Sequence, residues 1–310
     1  MKILIIDQLH DSIHDLLAEN NLTADYRPAI SKEEVIDILH QYDGVMVRSK
    51  MRFTKEVLET APNLQFIARS GAGMDNIDEA YAKAKGIHLI NAPEGNRDAV
   101  GEHTLGMLLS LMNKLNTADT EVRANQWDRE GNRGHEVMGK TVGIIGYGNM
   151  GRAFAQRLLG FNCKVLAYDK YKSDFSDQYA QEVSLETLFE ETDILSIHTP
   201  LTEETRGWLD TAFFNKFKKN LYFLNAARGE IVPFEALNDG LQSGKLIAAG
   251  LDVLEVEKFN QLTDPQRKAL DLLQAQKNVL FTPHVGGWTF ESYRRLNEVM
   301  VKKITDFLKK

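Results

Sequence analysis

The sequence predicts an α/β protein of two doubly wound domains, each a parallel sheet covered by helices. Three observations carry that reading. Strand-like apolar runs alternate with helical periodicity almost from end to end, the pattern of parallel sheets buried on both faces. The alternation comes in two series, and 310 residues is a natural length for two domains. In the second series a glycine-rich turn, Gly146-Tyr147-Gly148-Asn149-Met150-Gly151, joins an apolar run to a helical one.

In the first series Ile3–Asp7, Gly44–Arg48, Leu64–Ala68 and Ile87–Asn91 read as strands. The N-terminus Met1–Asp7 carries one positive charge, Lys2, and an apolar run too short for a signal peptide. A helix opens at the capping box Ser31-Lys32-Glu33-Glu34, where serine and glutamate can satisfy each other's backbone N–H groups. Another follows Thr54, which can cap its first turn. His10 and His14 stand four apart on a predicted first helix. With no third ligand at a matching spacing, a solvated helix face is the better reading, and no metal is expected.

From Asp98 to Asn125 the alternation breaks. Ala99-Val100, His103-Thr104, Met107-Leu108 and Leu111-Met112 mark one long helix, followed by a polar one. Its broad apolar face suits burial between domains or between subunits. The second series has strands at Thr141–Ile145, Lys164–Tyr168, Ile194–His198, Leu221–Asn225, Ala248–Leu251 and Val279–Phe281. Helices start from Ser184, Asp210 and Pro233, which suit a cap or first turn. The segment Thr289 to Lys310 is a final helix with no strand after it, free to return to the first domain.

Bulk properties narrow the function classes. A 43% hydrophobic and 26% charged composition is that of a soluble globular chain. Net charge is −7 with no Lys/Arg block, which makes nucleic acid and anionic membrane poor partners. No apolar run approaches the roughly 20 residues that span a bilayer. The single Cys163 cannot form an internal disulfide, which fits a reducing cytoplasm and a small core residue.

The glycine-rich turn follows Thr141-Val142-Gly143-Ile144-Ile145, and Asp169 closes the next apolar run, eighteen residues past Gly151. That is the strand–turn–helix–strand–acid layout of a dinucleotide site. One glycine serves the tight turn, one the approach of backbone to a pyrophosphate, one helix–strand packing. The helix N-terminus offers free N–H groups and a positive dipole end to the diphosphate. Asp169 would accept from an adenosine ribose and repel a 2′-phosphate, which favours NAD over NADP; Lys170 and Lys172 argue the other way.

Three polar residues follow strands in this half, at the rim where open parallel sheets hold ligands: Arg228, Glu257 and His284. Each alone has a bland reading as a surface, loop or hydrogen-bonded group. Together they match the needs of hydride transfer. Oxidising a 2-hydroxy acid removes a hydroxyl proton and a hydride from one carbon. His284 can take the proton, Glu257 can orient and stabilise the imidazolium, and Arg228 can hold the carboxylate and polarise the carbonyl.

Over nearly its whole length the chain resembles the D-isomer-specific 2-hydroxyacid dehydrogenase family. The strings that carry the likeness are Ala68–Asp78, Gly101-Glu102-His103, the glycines of 146–151, His198-Thr199-Pro200, Asn225-Ala226-Ala227-Arg228-Gly229, Leu251-Asp252-Val253 and Thr282–Gly287. The resemblance implies Arg228, Glu257 and His284 as the catalytic set. It implies His198, Thr199, Pro200, Ala226, Asp252 and Gly286 in the cofactor cleft, with Asp252 near the nicotinamide amide. It also implies a Rossmann-type NAD domain over residues 98–286 and a flavodoxin-like substrate domain made of residues 1–97 and 287–310. The helix after Asp98 would then cross between domains and build a homodimer, with Trp127 and Arg129 able to cover the neighbour. Two positions depart from the family: Lys258 stands where a proline commonly follows the catalytic glutamate, and Leu254 where an aromatic commonly precedes it.

The loop Ser70-Gly71-Ala72-Gly73 can bring backbone N–H groups to the substrate carboxylate. Arg48 and Arg69 end first-domain strands, and two guanidinium groups beside such a nest fit a second anion, best a phosphate. The alternative is pairing with interface carboxylates. The arrangement resembles the D-3-phosphoglycerate dehydrogenases, so the expected reaction is 3-phosphoglycerate to 3-phosphohydroxypyruvate, in serine and hence amino-acid biosynthesis. No regulatory domain is expected in a chain ending at Lys310. A hydroxypyruvate or glyoxylate reductase needs only one anion site and is the enzymatic alternative. An NAD-sensing binding protein of the same fold is the other, though the disordered tails such proteins use are not seen. Trp288 either lines the pocket or packs.

Overall fold

A computed structural model describes residues 1–309 and resolves them into two compact units. One is Met1–Arg97 with the segment from Trp288 onward; the other is Asp98–Gly287. Lys310, the end of the predicted last helix, lies outside the described residues.

The first unit holds five parallel strands: β1 (Ile3–Ile5), β2 (Ala24–Tyr26), β3 (Gly44–Val47), β4 (Phe66–Arg69) and β5 (His88–Asn91). Their order is β2-β1-β3-β4-β5, so the chain reverses direction across the sheet between β1 and β3. Both faces are covered, because alternate residues of a strand point to opposite sides. Ile3, Ile5, Met46 and Phe66 pack with Met300, Val301 and Ile304 of helix Phe290–Leu308. Leu4, Ile6, Val45 and Ile67 face Val35, Leu39 and Leu58 on the other side.

The second unit holds seven: β6 (Thr141–Ile145), β7 (Lys164–Tyr168), β8 (Gln181–Glu182), β9 (Ile194–Ile197), β10 (Leu221–Asn225), β11 (Leu246–Leu251) and β12 (Val279–Phe281). All pairings are parallel, in the order β12-β11-β10-β9-β6-β7-β8. The reversal point lies between β6 and β9, the place where doubly wound sheets bind nucleotides. One face packs on Phe213, Phe214 and Phe217, the other on Met107 and Leu108 of helix Pro93–Met112.

Several sequence expectations are corrected. β2 and β8 escape the apolar pattern because both are short and polar: Ala24–Tyr26 is half-buried throughout, and β8 is only Gln181–Glu182. β1 stops at Ile5 rather than Asp7, whose carboxylate instead accepts the N–H groups of Arg48 (2.7 Å), Ser49 and Lys50 (3.2 Å each). The long helix starts at Pro93, not Asp98, and ends at Met112; Lys114 takes a left-handed turn (φ 52°) before helix Leu115–Arg123. His10 precedes helix Ser12–Glu19 and so does not share a helix face with His14.

Capping follows the sequence in part. The Ser31–Glu34 box forms reciprocally, and Ser184 and Asp210 accept from the N–H groups of Thr187 and Phe213. Thr54 stands at the cap position without capping, its hydroxyl engaged by Glu56. Pro233 cannot cap helix Phe234–Gln242, and Glu255 does so instead, accepting from the Phe234 N–H at 2.7 Å.

Gly44 marks a tight point of the first core. A Cβ there would lie 2.2 Å from the ring of the fully buried Phe66. Gly44→Ala is therefore expected to destabilise by about 1–3 kcal/mol, as overpacking does. Adding Phe66→Leu should return part of that loss. Urea unfolding of the single and double variants checks the non-additivity.

Candidate active site

The glycine-rich turn leads from β6 into helix Asn149–Arg157. Gly146 has φ 92°, and a Cβ on it would stand 2.8 Å from the His198 carbonyl carbon. Only glycine lets this turn lie against the His198–Thr199 peptide after β9. Gly151 serves packing: its added Cβ would meet the Gly146 carbonyl oxygen at 2.1 Å and Ile144 at 3.1 Å. Gly148 faces open space, with nothing within 4 Å of its added Cβ. Asn149 and Met150 form the first turn of the helix, whose orphan N–H groups suit an anion.

Two buried polar atoms beside this turn have no hydrogen-bond partner among the described residues: His198 Nδ1 and Thr199 Oγ1. Buried polar groups are rarely orphaned, so a ligand is the natural partner. His198 Nε2 is 2.9 Å from Ser196 Oγ. Desolvation pushes the His198 pKa down to about 4, so the ring is neutral. Pro200 follows, exposed. Asp169 directly follows β7 and accepts from the Tyr147 N–H (2.9 Å, Oδ2) and the Tyr171 N–H (3.0 Å, Oδ1). Lys170 pairs with Glu204 at 2.5 Å, and Lys172 donates to the Tyr147 carbonyl at 2.9 Å. The residues present thus fit a dinucleotide: an open anion cradle, two orphaned polar atoms and an acid at the ribose position.

The three catalytic candidates follow β10, β11 and β12, which are neighbours. His284 Nδ1 lies 2.8 Å from Glu257 Oε1, and both side chains are about half exposed. This contact fixes Nδ1 as the His284 nitrogen that faces the carboxylate. Arg228 is half-buried, and its Nη1 donates to the Ala227 carbonyl at 2.7 Å. Its loop is braced by Asn225, which donates to the Arg228 carbonyl (3.0 Å) and accepts from the Ala227 N–H (3.0 Å), with Ala226 between them. Gly229 sets the spacing to the next loop, because a Cβ there would lie 1.9 Å from the Leu254 carbonyl. Leu254 and Lys258, the two departures from the family pattern, do not prevent the Glu257–His284 contact.

Asp252 is only 2% exposed and organises this rim. Its Oδ1 accepts from Thr282 Oγ1 (2.6 Å) and the Val285 N–H (2.9 Å), and its Oδ2 from the Gly286 N–H (2.8 Å). Burial raises its pKa, but the hydrogen bonds from His103, Thr282, Gly286 and Val285 outweigh that and hold it below the ordinary value. His103 Nε2 stands 2.9 Å from Thr282 Oγ1 and 3.3 Å from Asp252. Together they hold His284 in a left-handed backbone conformation (φ 55°), costly for a non-glycine residue. The bracing by His103 and Thr282 was not foreseen; its only sequence signal was their presence in two of the matching strings.

In the first unit, Ser70 is buried with an orphaned Oγ, and the guanidinium of Arg69 lies over Gly71, where a Cβ would meet its Nη1 at 1.8 Å. The Gly71 carbonyl accepts from Ala92 N–H (2.9 Å) and the Ala72 carbonyl from Asn91 Nδ2 (2.8 Å), which turns the Ala72–Gly73 N–H groups to the other side of the loop. Arg48 lies with its Cζ 3.7 Å over the Trp288 ring and 5.9 Å from Tyr293. Among the described residues it has no carboxylate within ion-pairing distance, and burial lowers its pKa. Trp288, undecided from sequence, packs on this guanidinium. His10 Nδ1 accepts from the Ser12 N–H, and His14 meets Tyr26 edge-on.

Residues 105–286 match the family model for the D-isomer specific 2-hydroxyacid dehydrogenase NAD binding domain. The chain belongs to that family. It is therefore an NAD-dependent oxidoreductase acting on 2-hydroxy or 2-oxo acids. It is 39% identical to a hydroxypyruvate reductase of Thermotoga maritima, over 89% of this chain and 88% of that protein. It is 34% identical to a D-3-phosphoglycerate dehydrogenase of Archaeoglobus fulgidus, over 100% of this chain but only 58% of that longer protein. Among solved structures, the D-lactate dehydrogenase of Aquifex aeolicus complexed with NAD and lactic acid aligns over 100% of this chain and 96% of its own, with TM-score 0.84 and 28% identity. No helix among the described residues is long and apolar enough to cross a membrane.

His198 gives this family member a pH signature. Its folded pKa of about 4 lies below the 6.5 of an unperturbed imidazole, so the unfolded chain takes up a proton that the native state refuses. Stability is then full above pH 6.5 and falls as pH drops toward 4, by about 3 kcal/mol at about 1.4 per unit. The measurement is urea unfolding at several pH values. The difference between wild type and His198→Asn should carry this slope.

Proposed function

We propose that Arg228, Glu257 and His284 carry out the reaction and that its substrate is a phosphorylated hydroxy acid, 3-phosphoglycerate, oxidised to 3-phosphohydroxypyruvate. The observation that carries the chemistry is the 2.8 Å contact between Glu257 and His284. NAD, bound along the 146–151 turn, supplies the hydride acceptor. His284 Nε2 takes the proton of the 2-hydroxyl, while Glu257 holds the ring and stabilises the resulting imidazolium. Arg228 receives the carboxylate and the developing carbonyl oxygen through charge-assisted hydrogen bonds. In reduction the same ring returns the proton.

The phosphate reading rests on Arg48, a half-buried cation with no carboxylate partner among the described residues, and on Arg69 beside the Ser70–Gly73 loop. A guanidinium binds phosphate by paired hydrogen bonds. The second reading, a reductase for hydroxypyruvate, is favoured by the Thermotoga relative, which matches over most of both chains. Residues Leu115, Val122, Trp127 and Met138 are more than half exposed, Trp127 by 81%. That surface supports a homodimer through the second unit. The single half-buried cysteine, its thiol pKa raised by burial, supports a reducing cytoplasmic setting.

On the first reading NADH is oxidised far faster with 3-phosphohydroxypyruvate than with hydroxypyruvate, and Arg48→Ala or Arg69→Ala raises the Michaelis constant for the phosphorylated acid alone. Equal rates for the two acids would establish the reductase reading instead. For the chemistry, His284→Asn is expected to lower kcat by about 10²–10⁴. The kcat/KM pH profile for oxidation should rise through a single ionisation, and Glu257→Gln should displace it. A profile unmoved in both variants removes the pair from the mechanism.

A further inference from the structure

Lys170 and Lys172 follow the ribose acid Asp169, which is where a cofactor carrying a 2′-phosphate would seek cations. In the structure neither ammonium is idle. Lys172 Nζ donates to the Tyr147 carbonyl at 2.9 Å, inside the glycine-rich turn. Lys170 Nζ lies 2.5 Å from Glu204 Oε2, and the Tyr171 hydroxyl donates to the same oxygen at 2.9 Å. Glu204 thus holds two of the three side-chain donors that follow Asp169.

Topology explains why this glutamate can reach them. The strand order places β9 and β7 on either side of β6. Asp169–Lys172 follow β7, and Glu204 lies in the segment after β9. Neighbouring strands are about 4.8 Å apart, so the two loops stand roughly 10 Å apart above the end of β6. Side chains from both sides therefore meet over the reversal point, beyond the glycine-rich turn. The contact bridges the adenosine end of a dinucleotide whose diphosphate lies on the helix starting at Asn149.

We infer that Glu204 is a second determinant of cofactor choice, acting with Asp169 to exclude NADP by holding and neutralising Lys170, the ammonium nearest to where the 2′-phosphate would lie. The inference rests on a ribose beside Asp169. Asp169 and Glu204 balance Lys170 and Lys172, so the site offers no net positive charge to a group carrying about −1.5 to −2. Removing the Glu204 charge leaves one ammonium in excess and frees Lys170 to swing toward the phosphate. Glu204 touches no reacting atom; its effect is confined to which dinucleotide is held.

The test uses binding, which needs no knowledge of the acid substrate. The dissociation constants of NADH and NADPH are measured by nicotinamide fluorescence on the whole chain, for wild type, Glu204→Gln, Lys170→Ala, the double variant and Asp169→Ala. Both Glu204 and Lys170 are more than half exposed, so folding is not at stake. Glu204→Gln is expected to narrow the preference for NADH over NADPH by about tenfold, one unit of log affinity. Lys170→Ala added to Glu204→Gln should restore most of the preference, because the freed ammonium is the source of the gain. The difference between wild type and Glu204→Gln should shrink in 1 M salt, where the screening length falls to about 3 Å. A preference unchanged within twofold in Glu204→Gln overturns the inference, and so does a narrowing that survives loss of Lys170. If Asp169→Ala leaves NADH affinity and the preference both unaltered, the ribose placement itself fails and takes this inference with it; a change there with none in Glu204→Gln leaves the placement standing and sinks only the inference.

Discussion

A single buried carboxylate holds the rim of the candidate site in the second unit in place. Asp252 accepts from a threonine hydroxyl and two consecutive backbone N–H groups, all within residues 282–286. A carboxylate this far from water is tolerable only when its oxygens are fully engaged. Engagement here does two things at once. It satisfies the charge, and it fixes a five-residue turn whose middle residue, His284, has a left-handed backbone (φ 55°). The His284 N–H donates to the Asp252 carbonyl at 2.8 Å, so side chain and main chain of one residue grip the same loop. The Glu257 contact then has a rigid partner on one side, as the proposed role of His284 as proton acceptor requires.

Much of this was legible in the sequence because it is local. The capping box at Ser31, the glycine-rich turn and the order of the strands follow from spacing over a few residues or from periodicity over one element. The three polar residues after β10, β11 and β12 were legible for a topological reason. Parallel strands all end on the same side, so residues that follow successive strands gather on one rim without any knowledge of contacts. That logic named Arg228, Glu257 and His284 together. It did not fix the distance between Glu257 and His284, which depends on how the two loops turn.

What stayed hidden is long-range pairing by side chains that carry no pattern of their own. Glu255 caps a helix that begins twenty-one residues earlier. Asp7 leaves its strand to collect three N–H groups beyond β3, filling the reversal point of the first sheet with an internal anion. The proposed substrate contacts in that unit therefore fall to the side chains of Arg48 and Arg69 and to the Ser70–Gly73 loop. Edge strands were missed for a different reason: β2 and β8 bury too little to leave an apolar signature.

The stack of Arg48 on Trp288 gives the chain an optical handle. Indole emission is sensitive to a cation held against the ring, and this one is 3.7 Å away. The chain has three tryptophans, of which Trp127 is largely solvated and Trp208 packs on Phe213. An anion that draws the Arg48 guanidinium off the indole would alter one emitter out of three, so occupancy of the first unit can be followed by light without turnover and without a label.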